Sequence, residues 1–576
     1  MNSKKKITSL CLIIVFVITS LSACSKKQNS EVVTPTTVTT PEDTKTPSQG
    51  TKVTPVTSEG TQKYPPMPIM DIDRIDDNYR TYYEVFLYTF YDSNQDGIGD
   101  INGLISKLDY LNDNDPTTDT DLGVTGIWLM PIMPSDTYHK YDVKDFYEID
   151  PSYGTLDDFK RLVEECEKRD IKIIIDFIFN HTSNNHPWFQ EAARYLRGLE
   201  QGQEPDVTEC KYIEYYNFAK DMADKSGYRK LDNTNWYYEG VFVTEMPDLK
   251  LDNPEVRAEL ETIAKFWLDL GVHGFRLDAA KEYYSGVHTK NIEVLSWFNS
   301  YVKEVNPNAY IVGEVWDSFG TIASYYESGI DSVFNYAFGD SEGKIAMAVK
   351  NAGNNKVGYN LALNMKQVAD IYKQRNENYI DASFISNHDN NRAASFVGGN
   401  EDLVKLMGGI NLMMSGSSFM YYGEEVGMMG TGRDENKRAP MHWSITDLSG
   451  MTKGPARMEK QVQSFEPVDE QQNKDDSILN YYKRAIRIRN QNPEISRGEI
   501  EVLEGLDKNI SAVKKTYQEK SIIILMNINP NESIVTLSKE QYGYEGIEAA
   551  LTTTSLQPTI VDNEITLPPY AIVVLQ

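Results

Sequence analysis

Four short segments of this 576-residue chain carry acids in settings that suit proton transfer and nucleophilic attack. In Gly274-Phe275-Arg276-Leu277-Asp278 an arginine precedes an aspartate by two residues. Residues two apart on a strand share a face, so Arg276 can hold Asp278 ionised and oriented. Tyr310-Ile311-Val312-Gly313-Glu314-Val315-Trp316 ends a very apolar run in a glutamate. An apolar wall raises a carboxyl pKa and keeps it protonated as a general acid. Asn387-His388-Asp389 sets a third carboxylate beside an imidazole, and Asp176-Phe177-Ile178-Phe179-Asn180-His181 supplies another Asp and His. A lone strand-end aspartate is more often structural than catalytic, but four such segments in one chain are hard to explain as structure alone.

The elements that must position these groups read as alternating strands and helices. Candidate strands are Glu84–Tyr88, Gly126–Met130, Ile171–Ile178, Gly274–Leu277, Tyr310–Val315, Asp331–Tyr336, Ser383–Ser386 and Ser417–Tyr421. Amphipathic stretches such as Leu156–Lys168 and Pro254–Leu270 lie between several of them. Eight such units predict an α/β fold, a (β/α)8 barrel of the TIM type. Asp176, His181, Asp278, Glu314, His388, Asp389 and Glu424 then fall at strand ends, where such barrels build their sites. About 70 residues rich in Tyr, Trp and Asn follow the third strand and predict an inserted subdomain. After a last helix near Ser477–Asn490, short strands at Ile500–Leu503, Ile510–Thr516, Ser521–Ile528, Ile560–Leu567 and Ala571–Leu575 predict a C-terminal antiparallel β-sandwich. The expected boundaries are 67–181 and 254–492 for the barrel, 182–253 for the insertion and 493–576 for the sandwich.

The formal charge of −28 argues against a nucleic-acid partner, because that affinity rests on cationic contacts to phosphate. A neutral substrate fits better, and 36 Tyr with 7 Trp can stack on sugar rings. Four cysteines are too few and too dispersed for a disulfide scaffold or a zinc site. A Cys166–Cys210 bridge is compatible with an exterior location.

Asp92-Ser93-Asn94-Gln95-Asp96-Gly97-Ile98-Gly99-Asp100 places oxygen side chains at alternate positions around a glycine turn. Its start resembles an EF-hand loop, but the twelfth position is Gly103 and a strand precedes it. Calcium is the expected ion, with Asp92, Asn94, Asp96, Asp100 and the Ile98 carbonyl as ligands. The bland reading is an Asx-rich turn capped by its own backbone.

The four acidic segments, in this order and spacing, resemble the signature regions of the α-amylase family of glycoside hydrolases. Met246-Pro247-Asp248-Leu249 and Phe419–Gly427 resemble two further family motifs, and the likeness covers about residues 70–576. The resemblance implies Asp278 as nucleophile, Glu314 as acid/base and Asp389 as the carboxylate that grips sugar hydroxyls and helps distort the ring. It places Arg276 beside the nucleophile and Asp176 behind Arg276. It gives His181 and His388 to the hydroxyls of the same sugar, Tyr141 to stacking and His139 to hydrogen bonding. Asp142 and Arg392 join the implied substrate-binding set. Lys281 would serve the leaving-group side, whereas Glu282 stands where many relatives have His, which puts a second calcium in doubt. The implied activity is retaining endo-hydrolysis of α-1,4 bonds in starch and maltooligosaccharides by a monomer. An α-glucosidase, oligo-1,6-glucosidase or neopullulanase-like activity is the alternative. A non-catalytic starch-binding protein would have lost some of the three carboxylates, and all are present.

Residues 1–23 have the layout of a signal peptide, with Lys4, Lys5 and Lys6 before an apolar stretch. Leu21-Ser22-Ala23-Cys24 resembles a bacterial lipobox, which implies lipidation at Cys24. Residues 24–66 are Thr-, Pro- and Ser-rich and cannot bury enough apolar surface to fold. They predict a tether holding the enzyme on the extracellular face of the bacterial membrane, attached through its lipid alone.

Overall fold

A computed structural model describes residues 77–354 and 356–576. The signal segment, Cys24 and the tether lie outside the described residues. Eight parallel strands run Thr81–Val85, Gly126–Leu129, Lys172–Phe177, Gly274–Leu277, Tyr310–Gly313, Ser332–Val333, Ala382–Ser383 and Ser417–Tyr421. The first strand pairs with both the second and the last, Tyr82 facing Gly126 and Phe419 in register. A parallel bridge from Phe334 to Ala382 joins the sixth strand to the seventh and closes the barrel.

The strands are apolar on both faces because helices cover them outside and side chains fill them inside. Tyr82 stacks between Tyr310 and Phe419 within the barrel, at 5.3 and 4.8 Å. The helix Leu156–Glu167 shows why this sequence wraps the barrel. Thr155 and Asp158 form a reciprocal capping box, and Phe159, Leu162, Val163 and Cys166 bury one stripe at helical spacing. Losing such a cap by Thr155→Ala would cost about 1 kcal/mol. The helix Pro254–Asp269 starts on Asn253 with proline in its first turn. Its Trp267 is buried and donates from Nε1 to the Phe146 carbonyl at 2.9 Å.

Between the third and fourth barrel strands lie the helix Pro187–Gly198 and a three-stranded antiparallel sheet of Phe218–Lys220, Trp236–Glu239 and Tyr228–Lys230. After the barrel come a five-stranded antiparallel sheet and a second, three-stranded one. Ile523, Leu525, Val535, Ile565, Val573 and Leu575 are buried in one cluster of side chains from both sheets.

Several expected elements differ. The first strand is Thr81–Val85, and Leu87–Phe90 is a helical turn. The run there is almost continuously apolar, so periodicity could not separate strand from turn. The sixth and seventh strands are two residues each, much shorter than expected. The stretch expected as one strand, Ile560–Leu567, is a hairpin: Thr559–Val561 and Glu564–Leu567 flank a turn in which Asp562 has φ +56°. Ser533–Thr536 and Ile547–Leu551 are strands that sequence reading passed over. Cys166 is buried in the helix stripe, and both it and Cys210 are free thiols, so no bridge joins them. Among the described residues no helix is long and apolar enough to cross a membrane.

Candidate active site

The ends of the third, fourth and fifth barrel strands bring three acids to one guanidinium. Arg276 Nη1 donates to Asp176 Oδ1 at 2.7 Å and to Asp278 Oδ1 at 2.6 Å. Its Nη2 donates to Glu314 Oε2 at 2.7 Å. Arg276 and Asp176 are almost wholly buried, whereas the side chains of Asp278 and Glu314 keep 11% and 13% of their surface exposed. The two acids that could meet a substrate are therefore the two that keep access to solvent. Parallel register explains the gathering: Asp176 lies beside Arg276, and Arg276 beside Val312 two residues before Glu314. Burial raises the pKa of Asp278 and Glu314 against the opposing pull of Arg276. Three acids share one cation, so the cluster favours holding a proton.

Asp389 has the opposite surroundings. Its Oδ2 lies 3.0 Å from His388 Nε2, and its Oδ1 accepts from Arg438 Nη2 at 2.8 Å. His388 Nδ1 is in turn 2.5 Å from Glu84 Oε1. Burial works against the charged imidazole, but Asp389 and Glu84 lift its pKa to about 10. Burial likewise opposes the Asp389 charge, and His388 with Arg438 and Arg276 overrides it, holding this carboxyl far below the usual range.

Tyr141 links the halves. Its hydroxyl donates to Asp176 Oδ2 at 3.0 Å and lies 2.6 Å from His388 Nε2, and its ring stacks on His388. His181 is buried at the end of the third strand, with Nδ1 3.2 Å from Asn180 Nδ2, and burial lowers its pKa to about 4. It is therefore neutral near pH 7. His139 Nδ1 meets the Thr137 hydroxyl and the Tyr141 amide, which shapes the loop that presents Tyr141.

Three residues expected to contact substrate engage protein groups in the structure. Asp142 is buried and accepts from the hydroxyls of Ser135 and Thr137, so it braces the loop. Arg392 is 1% exposed and donates to the carbonyls of Tyr422 and Lys437. Beside the third carboxylate stands Arg438, a residue sequence reasoning missed, in the stretch Asp434–Trp443. Lys281 spends its ammonium on the Trp316 carbonyl at 2.7 Å and on Asp317 at 3.3 Å. Glu424 also stays apart, its oxygens near Ser386 and Tyr482 hydroxyls. Sequence reasoning missed Glu84 as well, although a single acid inside Tyr82-Tyr83-Glu84-Val85-Phe86 is a signal in itself. Tyr336 is a third omission: it stacks on Trp316 at 5.1 Å and lies 3.4 Å from Glu314 Oε1.

The Asp92–Asp100 loop is capped largely by itself. Asp92 accepts from the amides of Asn94, Gln95 and Gly97, and Asp100 from Ser93 and Gly103. Four oxygen side chains and a carbonyl suit a hard cation. Yet among the described residues no three His, Cys, Asp or Glu side chains are gathered as a metal cluster. Asp92, Asp96 and Asp100 thus do not converge in this conformation, and the donor chemistry is what fits calcium.

Residues 84–498 match the model of the alpha-amylase catalytic domain. The chain belongs to the α-amylase family. It is 36% identical over 471 residues to Alpha-amylase 3 of Dictyoglomus thermophilum, covering 80% of this chain and 86% of that protein. A 4-alpha-glucanotransferase of Thermotoga neapolitana is 30% identical, covering 78% of this chain and 96% of the relative. Among solved structures, Eubacterium rectale Amy13B superposes with a TM-score of 0.82 at 43% identity, over 88% of this chain and 96% of that one. Within this family the barrel with its terminal sheets is the expected scaffold, and the acids around Arg276 sit at its strand ends.

Proposed function

We propose that this α-amylase-family enzyme hydrolyses internal α-1,4-glucosidic bonds of starch and maltooligosaccharides with retention of configuration. The observation that carries the reading is Arg276 bound to Asp278 and Glu314 at once. Sharing one guanidinium suits the short carboxyl separation, about 5–5.5 Å, of retaining enzymes. The crowded cluster keeps a proton, and with that proton on Glu314, Asp278 is the anion that attacks the anomeric carbon. Glu314, protonated by its surroundings, gives its proton to the glycosidic oxygen and then takes one from water. Asp389, kept as an anion by His388 and Arg438, accepts hydrogen bonds from hydroxyls of the sugar under attack. His181, neutral, binds the same ring and Tyr141 offers its face, while His388, buried and charged, holds Asp389 and the Tyr141 hydroxyl in place.

The choice of water over a second sugar as acceptor separates a hydrolase from a glucanotransferase. The test is incubation with soluble starch, pullulan, isomaltose and maltotriose, with products read by chromatography and the first anomer by NMR. Short α-configured maltooligosaccharides from starch are expected. Faster cleavage of isomaltose or maltose than of amylose would transfer the assignment to an α-glucosidase, and a β product would remove the double displacement.

Calcium at Asp92, Asn94, Asp96, Asp100 and the Ile98 carbonyl belongs to the same reading, on donor chemistry alone. So does a lipid anchor at Cys24 on the outer face of the membrane. Cys24→Ser is expected to move the enzyme from membranes to medium, and unchanged membrane fractionation would end the anchor proposal.

A further inference from the structure

The inserted subdomain ends in an apolar tip at the rim of the site. Phe242 and Val243 are 43% and 45% exposed. Exposure alone marks nothing, since Ile445, Leu448 and Val462 are more exposed; what sets this pair apart is its place beside His181. The Phe242 ring lies 5.5 Å from the ring of His181, tilted by 57°. No other aromatic ring packs on the Phe242 face among the described contacts, in contrast with Trp316, which already stacks on Tyr336.

The tip is braced at several points. Arg229 donates from Nε to the Gly240 carbonyl at 2.9 Å and from Nη2 to the carbonyls of Val241 and Phe242 at 3.4 and 3.3 Å. The Val241 amide donates to Asp248 Oδ2 at 3.0 Å, and Asp248 Oδ1 accepts from Asn180, the neighbour of His181. The Tyr238 hydroxyl donates to the Thr244 carbonyl at 2.7 Å. Backbone bonds from Asn184 to Glu245, Thr182 to Pro247 and Leu249 to Asn180 join this stretch to the chain leaving the third barrel strand. An exposed aromatic on an ordered backbone can bind without first losing loop entropy, which is what a recognition platform needs.

We propose that Phe242 is a specificity residue that packs on the apolar face of a second glucose ring, next to the ring touched by His181. The subdomain tip would then favour chains over single sugars. Val243 extends the same apolar edge. This rests on the α-glucan hydrolase reading, and the test separates the two.

The experiment compares kcat/KM on maltopentaose with kcat/KM on α-glucosyl fluoride, which carries one ring and a fluoride in place of a leaving sugar. In Phe242→Ala the ratio of maltopentaose to fluoride efficiency should fall about tenfold, the scale of one aromatic contact. Phe242→Tyr should restore most of the ratio, because the ring face returns. Equal losses on both substrates would overturn the proposal, since the residue would then act by holding His181. An unchanged ratio would also overturn it, because no second ring would be touching the tip. If wild type cleaves neither substrate, the hydrolase reading itself fails, whatever the variants do. Melting curves of the purified variants accompany the kinetics, and a ratio taken on folded protein is independent of yield.

Discussion

The two sides of the active site treat their carboxylates in opposite ways, and the more exposed one, Asp389, is the one held charged by direct cations. Around Arg276 three acids compete for one cation. Around Asp389 two cations, His388 and Arg438, meet it directly, and Glu84 secures the charge on the histidine. Burial raises the first group and is overridden in the second. Burial alone therefore does not decide protonation. The local count of partners does, and one pocket can hold a proton donor and a permanent anion side by side.

The largest expected effect comes from breaking the first side. Glu314→Gln removes the donated proton with little change of volume and should lower kcat by roughly 10²–10⁴ for natural glucans. Asp278→Asn removes the nucleophile and should cost at least as much. Both should melt close to wild type. Normal steady-state turnover by either variant would dissolve the contrast. In the wild type, activity should fall as pH rises through the raised pKa of Glu314, because only its protonated form is the acid.

The second side is tested through Glu84. A histidine whose pKa rises from 6.5 to about 10 on folding adds stability that is fully present below pH 6.5 and lost as pH climbs through 10. Glu84→Gln removes one of its two anions while keeping the shape. At pH 6 the variant should lose about 3 kcal/mol, the scale of a broken buried pair. Its alkaline unfolding should begin at lower pH than in wild type. Urea titrations at pH 6 and pH 9 read both, and a loss of equal size at the two pH values would show that His388 carries no extra charge.

How much of this was legible in the sequence depended on whether the signal was local. Arg276-Leu277-Asp278 announces its pairing because the strand period of two fixes a shared face. Glu314 stands out against the apolar run before it. The eight-unit alternation fixed the barrel, and the long interval after His181 fixed the insertion. What escaped was non-local. Glu84 reaches His388 across 304 residues and Arg438 reaches Asp389 across 49, and spacing cannot show such contacts. The protein partners of Arg392 and Asp142 escaped for the same reason: a motif position says what a residue is near in sequence, whereas its hydrogen bonds are set by the carbonyls and hydroxyls that the fold happens to bring up. The sandwich strands Ser533–Thr536 and Ile547–Leu551 were passed over because their patterns are short and half-polar.

A smaller effect is expected at the first-strand loop, whose carboxylates are capped largely by its own backbone amides. Removing metal with excess chelator from calcium-loaded enzyme should lower Tm by about 2–4 °C, since an ion that binds only the folded chain adds stability. Intrinsic kcat at low temperature should change little. An unchanged melting curve would leave the loop as a self-capped turn.

The smallest effect sharpens the comparison on the Glu314 side. Lys281 Nζ donates to the Trp316 carbonyl, and Trp316 is 45% exposed while its ring stacks on Tyr336, whose hydroxyl lies 3.4 Å from Glu314 Oε1. The ammonium therefore positions the segment after Glu314, and a direct bond from it to a sugar would have to displace a contact already made. Lys281→Ala should loosen Trp316 and reduce kcat/KM on maltopentaose about threefold, within the range of about 0.5–1.5 kcal/mol for one net hydrogen bond. Lys281→Arg can still reach the carbonyl and should recover most of the loss, although an arginine cannot reproduce a point-like ammonium contact to a sugar hydroxyl equally well. Kinetics of the two variants on one substrate decide the matter: recovery by arginine assigns Lys281 to positioning, and failure of arginine to recover assigns it to the leaving-group sugar.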